Sequence, residues 1–356
     1  MAVSSEALGF VLLFTLLVAI FVGFPIAFTL IFLGCVFGYL GFGTQVFSLM
    51  VFQFFGMMQE QVLAAVPLFV FMGLLLEQAG LMDRLFRAFQ LMLAPVRGSL
   101  YLAVTFTATI FAAATGIVGA SVTLLGLMAS PSMKRSGYDV RLSAGVITAG
   151  GTLGILIPPS VMLVVMGPVV GVSVVDLFAA AIMPGLLLAS LFAAYAMIRS
   201  FLNPRLGPPL PKEERASSFG EVLREIALGL VPPAVLVLAS LGSILSGLAT
   251  PTEGAAMGAF GALLLTLAYR RLTWAQLVRA TMRTLEVSSL VLFLAAASNF
   301  FGAVFSRLGT PIMISETLSG LDLPPLAMLL TIMALIFLLA WPLEWVPIVL
   351  IVVPIL

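Results

Sequence analysis

Long apolar stretches dominate the chain, and its polar residues gather in short clusters between them. Residues 8–40 carry no charged side chain, and 33 helical residues would be roughly 50 Å long against a hydrocarbon core of about 30 Å. The stretch must therefore bend, and Gly23 and Pro25 mark the expected break between two helices. A membrane β-barrel would need alternating apolar and polar positions, whereas these runs are continuous. The pattern predicts an all-α integral membrane protein.

Residues 46–79 contain a polar patch at 59–61 and Pro67, which starts a helix better than it continues one. Each apolar arm is short, so the stretch reads either as a re-entrant hairpin or as two helices joined by a plain loop. Residues 80–97 place Asp83, Arg84 and Arg87 among large apolar side chains. This spacing predicts an amphipathic helix at the cytoplasmic interface.

Two later apolar runs are interrupted. Residues 99–131 are broken at 115–121, and within residues 142–170 Gly150, Gly151 and Gly154 are followed by Pro158 and Pro159. We expect the backbone of residues 150–160 to unwind there, near membrane depth, where freed carbonyls and amides become ligands in a cavity. The alternative is a kinked and closely packed helix, since glycine and proline are common in membrane helices.

The second half begins after a proline-rich, charged segment, residues 203–225, which we expect to be a mobile cytoplasmic linker. A span over 226–245 follows, and Thr250, Pro251 and Glu253 fit the start of another helix. Glu253 is expected to be a helix cap rather than an ion ligand. Residues 273–285 predict a second amphipathic segment.

Polar residues inside the last apolar runs are candidates for a site. Ser298 and Asn299 lie in the middle of residues 288–305, and an asparagine in a membrane segment is costly unless it is paired. Glu344 lies in the broken run 337–354. It is either an intramembrane acid with a function or the end of a helix at the interface beside two tryptophans.

The two halves share an order of elements, which predicts a first membrane repeat (1–202), a linker (203–225) and a second, incomplete membrane repeat (226–356). Residues 111–131 and 338–354 are the corresponding broken segments. Duplicated broken segments are typical of secondary transporters whose site lies where the repeats meet.

Composition narrows the class further. Hydrophobic residues make up 62% of the chain and charged residues 9%, which excludes a soluble domain. The net charge of +1 does not suggest a nucleic-acid partner, and the absence of histidine removes histidine acid–base chemistry and histidine metal sites. No nucleophile–base pair supports an enzyme. Basic residues begin only at Arg84, which favours an N-terminus outside the cytoplasm.

Four motifs resemble one transporter family over essentially the whole chain. They are FAAATGIVGASV (111–122), KRSGYDVRL (134–142), GGTLGILIPPS (150–160) and LATPTEGAAMG (248–258). They resemble the large membrane subunit of tripartite ATP-independent periplasmic (TRAP) transporters, in the branch labelled for mannitol and chloroaromatic compounds. The resemblance implies an elevator-type secondary transporter in the bacterial inner membrane, with inverted repeats, re-entrant hairpins and broken helices.

The resemblance also implies sodium as the coupling ion, no other cofactor, a small organic acid as substrate, and two partners: a small membrane subunit and a periplasmic solute-binding protein. A sodium site is expected from Thr115, Ser121, Gly151 and Thr152. The candidate ligands for substrate and ions are Thr115, Gly116, Gly119, Ser121, Gly150, Gly151, Thr152, Gly154, Pro158, Pro159, Ser160, Ser298, Asn299 and Glu344.

Two departures from the family pattern concern the end of the chain. The family usually has an acidic residue after a Gly-Phe-Phe-Leu-like run, where this sequence has Trp341, Pro342, Leu343 and Glu344. Family members also continue to a second Pro-Pro element. We therefore expect a C-terminally truncated chain that does not transport by itself. A non-transporting fragment or structural subunit stays open as the alternative.

Overall fold

The computed structural model describes residues 5–115, 118–211, 215–216, 218–320, 324–341, 345 and 348–349. Within these residues, helices are the regular secondary structure, as the apolar pattern predicts. The elements, in chain order, are α1 (Ser5–Val22), α2 (Ile26–Phe42), α3 (Gln45–Gln59), a 3-10 helix (Gln61–Ala64), α4 (Ala65–Gln78), α5 (Leu81–Leu93), α6 (Ser99–Thr115), α7 (Val118–Arg135), α8 (Val140–Leu156), α9 (Val161–Val170), α10 (Val174–Leu202), α11 (Phe219–Gly229), α12 (Val231–Leu245), α13 (Pro251–Ala268), α14 (Trp274–Arg307), α15 (Thr310–Ser319) and α16 (Pro325–Leu339).

Several of these helices are long and apolar enough to cross a membrane. In the described part of the chain they are Gln61–Gln78, Val174–Leu202, Phe219–Leu245 and Trp274–Arg307. The pair α8 and α9, bent by 42° at a short break, qualifies as a fifth if it is counted as one span. The predicted break after α1 is confirmed, because α1 ends at Val22 and α2 begins at Ile26.

The chain divides into two compact units that interleave along the sequence. Unit 1 comprises Met1–Gln61, Val165–Val172 and Ser289–Leu356, and unit 2 comprises Val62–Val164 and Ser173–Ser288. These units cut across the predicted division at residues 203–225. A compact unit is defined by contacts and a repeat by chain order, so the repeat division itself stays a prediction.

Residues 46–79 form helical segments on both sides of the predicted polar patch. The chain is helical to Gln59, breaks at Glu60 and continues through the 3-10 helix into α4, where Pro67 is the third residue. The boundary between the units falls at Gln61, so the two proposed arms belong to different units. The second arm is also longer than expected, because the 3-10 helix and α4 together reach 18 residues.

The amphipathic α5 is confirmed. Its buried face carries Leu81, Leu85 and Phe89, whereas Asp83 and Arg87 are exposed. The predicted amphipathic segment 273–285 is not a separate element. It forms the first part of α14, which continues for 34 residues to Arg307. Likewise α7 does not stop at Pro131 but runs on to Arg135.

Part of the predicted linker is attached to unit 2 by backbone hydrogen bonds. The carbonyl of Leu206 accepts hydrogen bonds from the Asp139 amide (3.0 Å) and the Tyr101 hydroxyl (2.6 Å), and the Gly207 carbonyl accepts one from the Gly98 amide (2.9 Å). Leu210 is 1% exposed. Leu206 and Gly207 are attached in this way because their carbonyls satisfy amides at the starts of α6 and α8 that the helices leave unpaired. Asn203, Pro204, Arg205, Pro209 and Pro211 are exposed, and the mobility of residues 203–225 stays a prediction. At the other end, α11 begins at Phe219.

The helices of unit 2 approach one another through small residues and buried hydroxyls. The hydroxyl of Thr266, on α13, donates to the carbonyl of Leu75 on α4 (3.2 Å). A Cβ added at Gly258 would lie 2.6 Å from the sulfur of Met72 and 3.1 Å from the hydroxyl oxygen of Ser240. Small residues of this kind let membrane helices pack closely.

Candidate functional site

The first predicted break, 115–121, is described only in part. Thr115 is the last described residue of α6 and Val118 the first of α7. Gly116 and the side chain of Thr115 lie outside the described residues. Gly119 and Ser121 are in the first turn of α7 rather than in unwound backbone, and Ser121 is 4% exposed. The predicted unwinding therefore does not include residues 118–121, and the break itself stays a prediction.

The glycines of the second stretch are helical, which corrects the prediction that they unwind. Gly150, Gly151 and Gly154 all lie inside α8. An added Cβ at Gly151 would lie 2.2 Å from Val122 Cγ2 and 2.9 Å from the Val122 amide nitrogen, and one at Gly150 would lie 3.1 Å from Ala108 Cβ. These glycines allow α8 to approach α6 and α7 closely. Residues 150–154 therefore form a closely packed helix, which was the alternative to unwinding.

The break itself is confined to the proline pair. Helix α8 ends at Leu156, Ile157 is its C-cap, and α9 starts at Val161. Pro158 and Pro159, which are joined by a cis peptide bond, are buried together with Ser160. Prolines at 158 and 159 have no amide to donate, so the carbonyls of Gly154 and Ile155 cannot form their helical hydrogen bonds.

One of those two carbonyls has a side-chain partner. The Ser160 hydroxyl donates to the Ile155 carbonyl. The Gly154 carbonyl is left at the end of α8, and the C-terminal end of a helix carries partial negative charge. The backbone groups that this stretch offers to a cation therefore lie near Gly154, not at Gly150 or Gly151, whose carbonyls are within the helix.

The two stretches meet in unit 2. Gly151 packs on Val122, the residue after Ser121, so the start of α7 lies against α8 about one turn before α8 ends. Thr152 does not share this interface, because its side chain is exposed and its hydroxyl donates to the Ala149 carbonyl (2.7 Å). Whether Thr115, Ser121, Gly151 and Thr152 bind sodium stays a prediction.

Ser298 and Asn299 belong to the part of α14 in unit 1. The Asn299 side-chain amide donates to Gln53 Oε1 of α3 (2.9 Å), which pairs both amides. Sequence reasoning missed Gln53, although a glutamine within the apolar run of α3 is the available signal. Ser298 is 0% exposed, and its hydroxyl has no hydrogen-bond partner among the described residues.

We expect the Gln53–Asn299 pair to stabilise unit 1. Either single leucine substitution leaves a half-buried amide unsatisfied, which costs about 1–3 kcal/mol, whereas the double substitution costs less than the sum. The coupling energy, measured by thermal unfolding in detergent, should be about 0.6–1.7 kcal/mol. As a control, Thr15→Val removes an exposed hydroxyl that bonds within its own helix. Strictly additive single-variant effects would show that the pair is not a stabilising contact.

The prediction for Glu253 is confirmed, whereas the prediction for Glu344 is not tested. Glu253 is a helix cap, as expected: its carboxylate accepts a hydrogen bond from the Thr250 amide (2.8 Å), and its own amide donates to the Thr250 hydroxyl (3.3 Å). These reciprocal bonds form the capping box of α13. Glu344 lies outside the described residues.

Comparison with known proteins agrees with the resemblance of the motifs. The family described as "Tripartite ATP-independent periplasmic transporter, DctM component" matches residues 13–356. The sialic acid TRAP transporter large permease protein of Vibrio cholerae is 31% identical over 337 residues, covering 94% of this chain and 77% of that protein. The C4-dicarboxylate TRAP large permease of Rhodobacter capsulatus is 32% identical over 269 residues, covering 71% of this chain and 59% of that protein.

A third relative is the ectoine/5-hydroxyectoine TRAP large permease of Ruegeria pomeroyi, 29% identical over 344 residues, which cover 96% of this chain and 78% of that protein. All three are named as transporter permeases rather than enzymes. The match extends from within α1 to the end of the chain and includes the break between α8 and α9. The chain belongs to the DctM family, the large membrane-embedded permease component of tripartite ATP-independent periplasmic transporters.

Proposed function

We propose that this chain is the permease through which a sodium gradient drives the import of a small organic acid across the bacterial inner membrane. The observation that carries the proposal is the break between α8 and α9 in unit 2, which leaves the Gly154 carbonyl at the end of α8 while α7 packs on α8 through Val122 and Gly151. A broken membrane helix exposes backbone ligands, with cations favoured at helix C-termini and anions at helix N-termini.

This break supplies both kinds of helix end. Helix α8 ends at Leu156, where unpaired carbonyls suit a hard cation such as sodium. Helix α9 begins at Val161, where unpaired amides suit a carboxylate. The Ser121 hydroxyl and the Gly154 carbonyl are the proposed sodium ligands that the described residues contribute.

The substrate class follows from the relatives. Sialic acid and C4-dicarboxylates, after which two of them are named, are carboxylates. We propose an organic acid or a related solute, and the motifs favour the mannitol and chloroaromatic branch. Delivery by a periplasmic binding protein and assembly with a small membrane subunit belong to the same proposal.

The division into two compact units supports an elevator mechanism, in which one unit carries the substrate past the other. Unit 2 contains both proposed sodium ligands, Ser121 and the Gly154 carbonyl, so it is the proposed carrier. A non-transporting structural role is less favoured, because that role gives no reason for α8 to end at a buried proline pair.

Uptake by proteoliposomes tests the function. The vesicles contain the chain and its small subunit and are supplied with the loaded binding protein and radiolabelled sialic acid, succinate or ectoine. An inward sodium gradient should drive uptake of at least one acid, and a potassium gradient of the same size should not. Vesicles that lack the chain are the control. Equal uptake with both cations would refute sodium coupling, and no uptake of any solute would favour the structural role.

A further inference from the structure

Unit 2 contains a groove of about 680 Å³ between α8 and α10 that is separate from the break between α8 and α9. We define the α8–α10 groove by Arg141, Leu142, Gly145 and Ala149 on α8, and by Phe192, Tyr195 and Arg199 on α10. The groove is apolar along its length and charged at one end. Neither the proposed sodium ligands nor the proposed substrate ligands line it.

The apolar part of the groove is shaped by small residues. Leu142, Gly145 and Ala149 are spaced by three and four residues, so they share one face of α8. A Cβ added at Gly145 would have nothing within 4 Å, which means that the space beside it is open. Phe192 lines the opposite side. An open apolar channel of this kind suits a flexible hydrocarbon chain.

The charged end brings two arginines together. Arg141 lies in the first turn of α8 and Arg199 in the last turn of α10, and both are exposed. Neither forms an ion pair with a carboxylate in the described part of the chain, and Arg199 lies over the ring of Tyr195 at 5.9 Å. The one acid at this end, Asp139, already accepts the Leu142 amide (2.8 Å) as the N-cap of α8.

Arg141 is unfavourably placed for its own helix. A cation in the first turn opposes the helix dipole, whereas the arginine in the last turn of α10 complements it. The position of Arg141 is explained if its side chain faces an anion. Lys134 and Arg135 end α7 just before this end of α8, and by the positive-inside rule such a basic end faces the cytoplasm, where the leaflet carries anionic lipids.

We propose that the α8–α10 groove binds an anionic phospholipid, with its phosphate between Arg141 and Arg199 and an acyl chain along Leu142, Gly145 and Ala149. Arginine side chains match phosphate oxygens in charge and geometry, and the apolar channel matches the chain. A soluble anion would use only the charged end, and a neutral lipid only the channel.

The headgroup contact is tested by titrating the purified full-length chain in detergent with palmitoyl-oleoyl-phosphatidylglycerol and with the phosphatidylcholine of the same chains, followed by native mass spectrometry. The double variant Arg141→Gln/Arg199→Gln should bind phosphatidylglycerol about 30-fold more weakly. Arg270→Gln/Arg271→Gln, which removes the same charge at the end of α13, should not. Equal effects of the two double variants, or none, would overturn the proposal.

The chain contact needs its own variant. Gly145→Leu fills the channel without changing charge and should weaken phosphatidylglycerol binding at least about tenfold, the equivalent of roughly two buried methylenes. The control is Gly242→Leu, on α12, where an added Cβ also has nothing within 4 Å. Glycerol phosphate at millimolar concentration should not displace the lipid. Displacement by glycerol phosphate, together with no effect of Gly145→Leu, would identify a soluble phosphate site and overturn the lipid assignment.

Discussion

Gly151→Ala should destabilise the protein by about 3 kcal/mol or more, at the upper end of the usual cost of overpacking. The added Cβ would lie 2.2 Å from Val122 Cγ2, and also 2.9 Å from the Val122 amide nitrogen and 3.0 Å from its Cα. A side-chain contact can be relieved by a change of rotamer, but a backbone contact can be relieved only by moving α7 away from α8. Thermal unfolding in detergent measures the loss.

A glycine of the same interface provides the control. An alanine Cβ at Gly126, on α7, would lie 3.9 Å from Ile147 Cγ2 of α8, which is an ordinary contact. Gly126→Ala should therefore be neutral or slightly stabilising, because alanine favours a helix over glycine. Val122→Ala in the Gly151→Ala background should recover only part of the stability. Full recovery, or equal stability of Gly151→Ala and Gly126→Ala, would show that the helices are not held at this distance.

The contrast between glycine and proline explains what the sequence could predict at this site. Both residue types suggested that 150–160 would unwind, but only proline removes a hydrogen-bond donor, so only Pro158 and Pro159 force α8 to end. Glycine permits unwinding without requiring it. Its use at Gly151 depends on Val122, which no pattern within α8 reveals. The break could be predicted within a few residues, and the packing could not.

Partners remote in sequence were missed for the same reason. Asn299 was identified as costly unless paired, but its partner Gln53 lies 246 residues earlier. The linker was expected to be mobile because its prolines and charges suit a solvated segment. Its carbonyls at Leu206 and Gly207 instead pair with amides at Asp139 and Gly98, near the starts of two helices. Composition describes side chains and carries little information about such backbone pairing.

Local signals succeeded where the physical cause was local. The capping box at Thr250 and Glu253 needs only residues three apart, and the amphipathic face of α5 needs only its helical period. The membrane class needed only the length of the apolar runs. The division into two interleaved units depends on contacts between distant segments. It therefore appeared only in the structure.

Replacing both prolines of the α8–α9 break should abolish sodium-driven uptake without unfolding the protein. In Pro158→Ala/Pro159→Ala, two new amides can donate to the carbonyls of Gly154 and Ile155, so α8 can continue and the proposed sodium ligand is lost. A loss of about 1.4 kcal/mol in the free energy of sodium binding corresponds to a tenfold weaker affinity. The two added hydrogen bonds should leave the thermal unfolding temperature unchanged or raise it.

The chain carries a matched pair at Pro208 and Pro209, outside the helices and away from the break between α8 and α9. Pro208→Ala/Pro209→Ala makes the same chemical change and should keep sodium-driven uptake, which separates the effect of ending α8 from that of losing two prolines. Sodium-dependent fluorescence quenching or calorimetry on the purified chain measures ion affinity independently of the partner proteins. If the variant at 158 and 159 retains both uptake and sodium affinity, the carbonyls at the end of α8 are not ion ligands. Because α8 must end for the Gly154 carbonyl to be free for a cation, a large loss of sodium affinity at unchanged stability is the result that only the broken-helix site predicts.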